Sequence, residues 1–241
     1  MSHTLTILRR EFLSYWRSPI GYVVLCIFLG LNAYFSLRGF TTGMQASATG
    51  MFRMWPIFFV IFLPAVTMRL WAEERMLGTL ELMLTYPSRV ASLVLGKFLG
   101  AFLFLVVMLI LTLPVPSTIA AYTEVGGFDW NVALNGYLGA LLMAAAFLAI
   151  GLFWSSLTGD QIVAYLISFL TLLGLNLTNL AFFENIPRWL IRLMDIIGLG
   201  NHYTAFVRGV INLQDVIYFL AVAVFFLWLN GAVLVAKKWR G

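Results

Sequence analysis

The sequence predicts an all-α polytopic membrane protein with six transmembrane helices, and three observations carry that prediction. The chain of 241 residues is 62% hydrophobic and 10% charged, with a mean hydropathy of +0.95, too apolar for a soluble domain that must keep a polar surface. Six stretches contain no Asp, Glu, Lys or Arg: Ser18–Leu37, Met54–Met68, Phe98–Thr123, Trp130–Gly159, Gln161–Phe183 and Val216–Ala236. The few charges gather between these stretches. A helix needs roughly 20 apolar residues to cross about 30 Å of hydrocarbon. With flanking residues included, the expected layout is a single transmembrane domain over 1–241. It has an interfacial helix at 1–17 and spans at 18–37, 54–71, 95–116, 131–155, 161–183 and 215–236. A cytoplasmic segment covers 72–94 and an extracytoplasmic segment 184–214.

Ahead of the first span, Leu5, Leu8, Phe12 and Trp16 recur at helical spacing while Arg9, Arg10 and Arg17 point elsewhere. That pattern describes a short amphipathic helix lying in the membrane interface. The basic start, the apolar run and Ala46-Ser47-Ala48 imitate a cleaved signal peptide, but the run is too long and the small residues lie too far beyond it. The first span is expected to stay as an anchor. The second stretch is the shortest, and Arg53 and Arg69 can snorkel from its ends beside Trp55 and Trp71. The third is expected to stop at Pro114 and Pro116.

Six crossings place both termini on one side. That side collects ten of the basic residues: Arg9, Arg10, Arg17, Arg69, Arg75, Arg89, Lys97, Lys237, Lys238 and Arg240. Arg38, Arg53, Arg188, Arg192 and Arg208 fall on the other. The excess assigns the termini to the cytoplasm, so the net charge of +5 is an orientation signal and not a nucleic-acid footprint.

The cytoplasmic run from Arg69 to Arg89 holds Glu73, Glu74, Arg75 and Glu81. Gly78 interrupts a first helix and Thr79 can cap a second, on which Leu80, Leu82, Met83 and Leu84 form an apolar ridge ending at Tyr86-Pro87. Two short amphipathic helices joined by a bend make a docking surface for a partner. The other cytoplasmic connection, around Thr158-Gly159-Asp160, is only a turn, with Asp160 able to cap the next helix.

On the outer side, Glu184 to Asp215 is longer and patterned. Pro187 suits a first helical turn, Arg188 and Arg192 align four apart, and Trp189 lies on the opposite, apolar face. The stretch Tyr203–Leu213 is too short to cross and fits a re-entrant segment. Within the spans, Thr171, Asn176, Thr178 and Asn179 are the most polar group, suited to contacts between helices or to lining a pathway. Gly96 and Gly100, and the row Gly136, Ala140, Ala144, have the spacing that lets helix backbones approach, within one chain or between two.

Several functions are excluded. No Gly-rich phosphate loop with Lys-Ser/Thr is present, so the chain is not expected to hydrolyse nucleotide or to be an enzyme. Cys26 alone supports no disulfide, no residue set suggests a metal or a resident cofactor, and no channel filter stands out.

The run Ala72-Glu-Glu-Arg-Met-Leu-Gly-Thr-Leu-Glu-Leu-Met-Leu-Thr-Tyr-Pro87, continued by Val94-Leu-Gly-Lys-Phe98, closely resembles the first cytoplasmic loop of ABC-2 type transporter permeases. It is most similar to the gliding-motility-associated and nitrous-oxide-maturation-type branch. Phe206 to Phe219 resembles that branch's entry to the last span. The resemblance implies an export permease that pairs with a second copy or a sibling and sits on two copies of a cytoplasmic ATPase, which binds ATP and Mg. It places the coupling helix on Glu73, Glu74, Arg75, Gly78, Thr79, Glu81 and Pro87, with Thr158, Gly159 and Asp160 as a second contact. A rival expectation has the same motion passed through the outer helix at Arg188 to Arg192 to a periplasmic partner, with nothing crossing.

Overall fold

A computed structural model describes residues 3–43, 49–85, 90–121, 128–176 and 198–238, and only the backbone at 39–43, 82, 84 and 85. Every regular element among them is an α-helix, as the apolar periodicity demands. In chain order they are α1 (His3–Arg17), α2 (Pro19–Gly43), α3 (Thr49–Thr67), α4 (Arg69–Met76), α5 (Thr79–Thr85), α6 (Val90–Ile110), α7 (Pro114–Ala121), α8 (Trp130–Leu157), α9 (Gln161–Asn176), α10 (Leu199–Val207) and α11 (Leu213–Lys238). Five units are long and apolar enough to cross a membrane: Pro19–Arg38, Thr49–Met76, Val90–Ala121, Trp130–Leu157 and Leu213–Lys238. The described part of the expected fifth span, α9, is a shorter apolar helix.

α8 is the axis of the bundle. It packs against α3, α4, α6, α9, α10 and α11, and its small residues Ala140, Ala144 and Ala146 are fully buried. Small side chains let six neighbours reach one helix without leaving voids. The peripheral helices are built the other way, with large apolar side chains turned outward. Tyr22, Val23 and Ile27 on α2, and Val224, Phe225 and Trp228 on α11, are all about half exposed or more. Such surfaces suit hydrocarbon as their solvent. The described chain is therefore a multi-pass membrane protein.

Two sequence expectations change here. Pro114 and Pro116 do not end the third span. α6 stops at Ile110, three residues turn, and Pro114 then opens α7, where a missing N–H costs nothing. The Gly96/Gly100 pair serves packing within the chain. A Cβ on Gly96 would lie 2.7 Å from Ile7 Cγ2, and one on Gly100 would lie 2.7 Å from Glu11 Cβ, so these glycines let α1 lie directly on α6. The interfacial helix thus docks through Ile7, Glu11 and Tyr15, a stripe beside the one its Leu spacing suggested, while Leu5 and Leu13 stay exposed.

Candidate coupling site

The turn between α3 and α4 sets the site. α3 ends at Thr67, whose hydroxyl bonds back to the Leu63 carbonyl at 3.0 Å, and α4 begins two residues on. The first N–H groups of α4 have no partner inside the helix. Met68 in the cap position offers no side-chain bond, and Ser155 of α8 supplies it instead. Its Oγ accepts from the Trp71 and Ala72 amides at 3.1 and 3.2 Å and donates to the Met68 carbonyl at 2.8 Å. One hydroxyl therefore joins α3, α4 and α8.

α4 then turns one face inward. Glu74 is buried, and Lys97 Nζ of α6 lies 2.8 Å from its Oε1 and 2.9 Å from Glu11 Oε1 of α1. Arg10 approaches Glu74 Oε1 at 3.7 Å, and the Lys97 ammonium sits 4.9 Å from the Trp71 ring centroid. Glu74 Oε2 has no hydrogen-bond partner. A lysine this deeply buried persists only where charge and π-face compensate its desolvation. Beside this cluster the Tyr15 hydroxyl donates to the Val66 carbonyl at 2.9 Å, with the Arg69 guanidinium 4.6 Å over its ring and 2.9 Å from Ser14 Oγ. Burial pushes the Tyr15 phenol far above its usual range, against the opposing pull of Arg69, so it remains a donor at any working pH.

The outward side of α4 and α5 is different in kind. Met76 and Leu77 are each 63% exposed at the elbow, and Arg75 and Glu81 are exposed beside them. Gly78 makes the elbow with φ of +70°, and Thr79 Oγ1 donates to the Glu74 carbonyl at 3.2 Å. Thr79 thus closes α4 behind it. Leu80, expected on an exposed ridge, is buried, because the bend rotates the start of α5 onto the bundle. A Val at Gly78 is expected to cost about 1–2 kcal/mol, since a side chain there must occupy the left-handed region. Thermal unfolding of the purified variant measures it, and an unchanged midpoint would mean the elbow relaxes freely.

The second connection meets the first. Arg75 Nη1 donates to the Leu157 carbonyl at 2.7 Å, and a Cβ on Gly159 would sit 3.5 Å from Arg75 Cδ. Asp160 accepts from the Ile162 and Val163 amides at 2.7 and 3.4 Å, capping α9, and the Thr158 hydroxyl lies 3.3 Å from the Asp160 carbonyl. Glu73, Glu74, Arg75, Gly78, Thr79 and Glu81 therefore share one end of the bundle with Thr158, Gly159 and Asp160. Lys237 near the last residues joins them through the Ser156 carbonyl. Pro87, Thr178, Asn179, Arg188, Trp189 and Arg192 lie outside the described residues.

At the opposite end, Asn176 faces α10, where a Cβ on Gly200 would lie 2.7 Å from its Oδ1. Thr171 Oγ1 is satisfied by the Ile167 carbonyl of its own helix at 2.8 Å. α10 tucks into the bundle, with Tyr203 and Phe206 buried and the Tyr203 hydroxyl donating to the Phe52 carbonyl at 3.2 Å. His202 pairs with Asp215 at 2.6 Å and stacks on Tyr218.

Glu11, Lys97 and Ser155 escaped sequence reasoning. The one available signal was Glu11 at the centre of the i, i+4 stripe Ile7, Glu11, Tyr15. Among the described residues no group of His, Cys, Asp and Glu could hold a metal ion. Residues 2–199 match the family model described as ABC-2 type transporter. A search of the curated proteins gives no match to the chain.

Proposed function

The chain belongs to the ABC-2 type transporter family, and from that premise we propose that this permease subunit couples ATP hydrolysis by a separate cytoplasmic ATPase to export. The ATPase, in two copies, binds ATP and Mg, and the chain itself is not an enzyme. A second copy of this chain or a sibling permease completes the path through the bacterial inner membrane, with both termini cytoplasmic. The gliding-motility-associated or nitrous-oxide-maturation-type branch is the assignment within the family, on the Ala72–Pro87 run.

One observation carries the coupling reading. The α4–α5 elbow presents exposed Met76 and Leu77 on one side, while its other side is tied to three helices through Glu74–Lys97–Glu11 and Ser155. Apolar side chains rimmed by Glu81 and Arg75 are what a partner groove takes up, and rigid ties behind them carry a push into α1, α6 and α8. In this division of work Arg75 and Glu81 face the ATPase, with Thr158 to Asp160 as the neighbouring contact, whereas Glu74 is an anchor. The reading in which motion passes to a periplasmic partner rests on Arg188 to Arg192, outside the described residues, and no contact favours it.

The test is the double variant Met76→Asp/Leu77→Asp. Two apolar anchors of an interface, made charged, are expected to weaken ATPase retention about 30-fold or more. Pull-down from detergent with the tagged chain, with hydrolysis assayed alongside, measures it. The variant should insert and unfold as wild type does, because neither side chain is buried. Full retention with coupled hydrolysis would place the docking surface elsewhere.

A further inference from the structure

At the end of the bundle opposite the termini, α3, α9 and α10 enclose a cavity of about 580 Å³. Its wall is apolar, formed mainly by Ile57 and Ile61 of α3 and Phe169 and Leu173 of α9, while Arg53 and Arg208 line it as well. No carboxylate lines it, and among the described residues neither guanidinium takes part in an ion pair. Asp215, at the start of α11, is already engaged by His202 at 2.6 Å and by Asn212 at 3.1 Å.

Snorkelling explains one arginine at the end of a span, but it does not explain two from remote parts of the chain on one cavity. Arg208 is also held in place. Its amide bonds the Thr204 and Ala205 carbonyls, and the next residue's carbonyl, that of Gly209, accepts from Asn135 Nδ2 at 2.7 Å. A cavity of this size lies in the range of small-molecule sites, which are mostly apolar with a few placed polar groups. Guanidinium groups bind phosphate and carboxylate through paired, charge-assisted hydrogen bonds.

We infer that this cavity is a binding site for an anionic amphiphile, whose headgroup lies at Arg53 and Arg208 and whose hydrocarbon runs along Ile57, Ile61, Phe169 and Leu173. The site needs no partner ATPase, so the inference stands apart from the coupling reading. The cationic rim selects an anionic over a zwitterionic headgroup, and the apolar wall selects a lipid-like molecule over a free anion.

Native mass spectrometry of the full chain in detergent tests this with dioleoyl phosphatidylglycerol, dioleoyl phosphatidylcholine and sodium phosphate as probes. Phosphatidylglycerol should occupy the chain at a concentration about tenfold or more below that needed for phosphatidylcholine, as charge-assisted bonds to one headgroup imply. Arg53→Gln/Arg208→Gln should erase the preference, and Arg53→Lys/Arg208→Lys should keep part of it, since an ammonium retains the charge but not the paired bonds. Leu173→Trp, which fills the cavity, should lower occupancy by phosphatidylglycerol. Arg9→Gln/Arg17→Gln, at the other end, should leave the preference intact and so separates the site from general attraction to basic residues. Equal binding of the two lipids, a preference that survives in the Gln pair, its equal loss in a folded Lys pair, or displacement by phosphate at matching concentration would each overturn the inference.

Discussion

Lys97→Met is expected to lower the unfolding free energy by about 3–5 kcal/mol, the usual consequence of removing one partner from a buried ion cluster. The lysine side chain is 2% exposed and its partners Glu11 and Glu74 are 11% and 8% exposed, so neither carboxylate can recover its lost counter-ion from water. Among the described residues Arg10 is the only other cation in an ion pair with the cluster, at 3.7 Å from Glu74, and its own side chain is 64% exposed. The single variant therefore measures the penalty of stranded charge more than the worth of the cluster. The triple variant Lys97→Met/Glu11→Leu/Glu74→Leu separates the two. Removing all three charges together is expected to return most of the loss, because apolar replacement of a buried ionic group is often neutral or better. It should not return coupling, since α4 would then touch α1 and α6 without a directional tie. Thermal and denaturant unfolding in detergent reads the first quantity, and ATPase stimulation by the partner complex reads the second. If the single variant melts as wild type does, the cluster is solvated in the membrane and anchors nothing.

The membrane fold was legible because its cause is local. Hydropathy and the absence of charge mark an apolar helix one segment at a time, and Gly78 marks a bend because only glycine enters its backbone region without strain. The elbow's charged rim was legible for the same reason. What the sequence hides is pairing at a distance. Glu11 and Lys97 are 86 positions apart and Trp71 and Ser155 are 84 apart, and no periodicity within either segment reports the partner. Lys97 was counted as an orientation charge at a span's edge, although it lies more than a full turn inside α6, between the two glycines that admit α1. Leu80 shows a different limit. Its place on a ridge was read from spacing alone, and the direction of a helix after a bend depends on the backbone at Gly78 and on the Thr79 bond to Glu74.

Ser155→Ala is expected to cost about 2–4 kcal/mol, far more than a serine in an apolar helix ordinarily contributes. Most such serines bond back to their own helix, as Ser156 does to the Phe153 carbonyl at 2.7 Å. Ser155 has no exposed surface, and it serves three backbone groups of another segment. Its loss leaves the Trp71 and Ala72 amides and the Met68 carbonyl without the bond that closes the α3–α4 junction. Water reaches this junction poorly, so the desolvation cost of those groups remains. Ser156→Ala is the matched comparison. It removes a hydroxyl of equal burial one position along the same helix and is expected to cost under about 1 kcal/mol, since the Phe153 carbonyl keeps its place in the α8 ladder. Unfolding of the two variants side by side gives the difference, and faster amide exchange at residues 71 and 72 in Ser155→Ala alone would locate it. The two costs coming out equal would mean that α4 finds its cap elsewhere. A loss confined to Ser155 would make this hydroxyl the joint through which movement of the α4–α5 elbow reaches α8, and α8 is the helix on which most of the bundle packs.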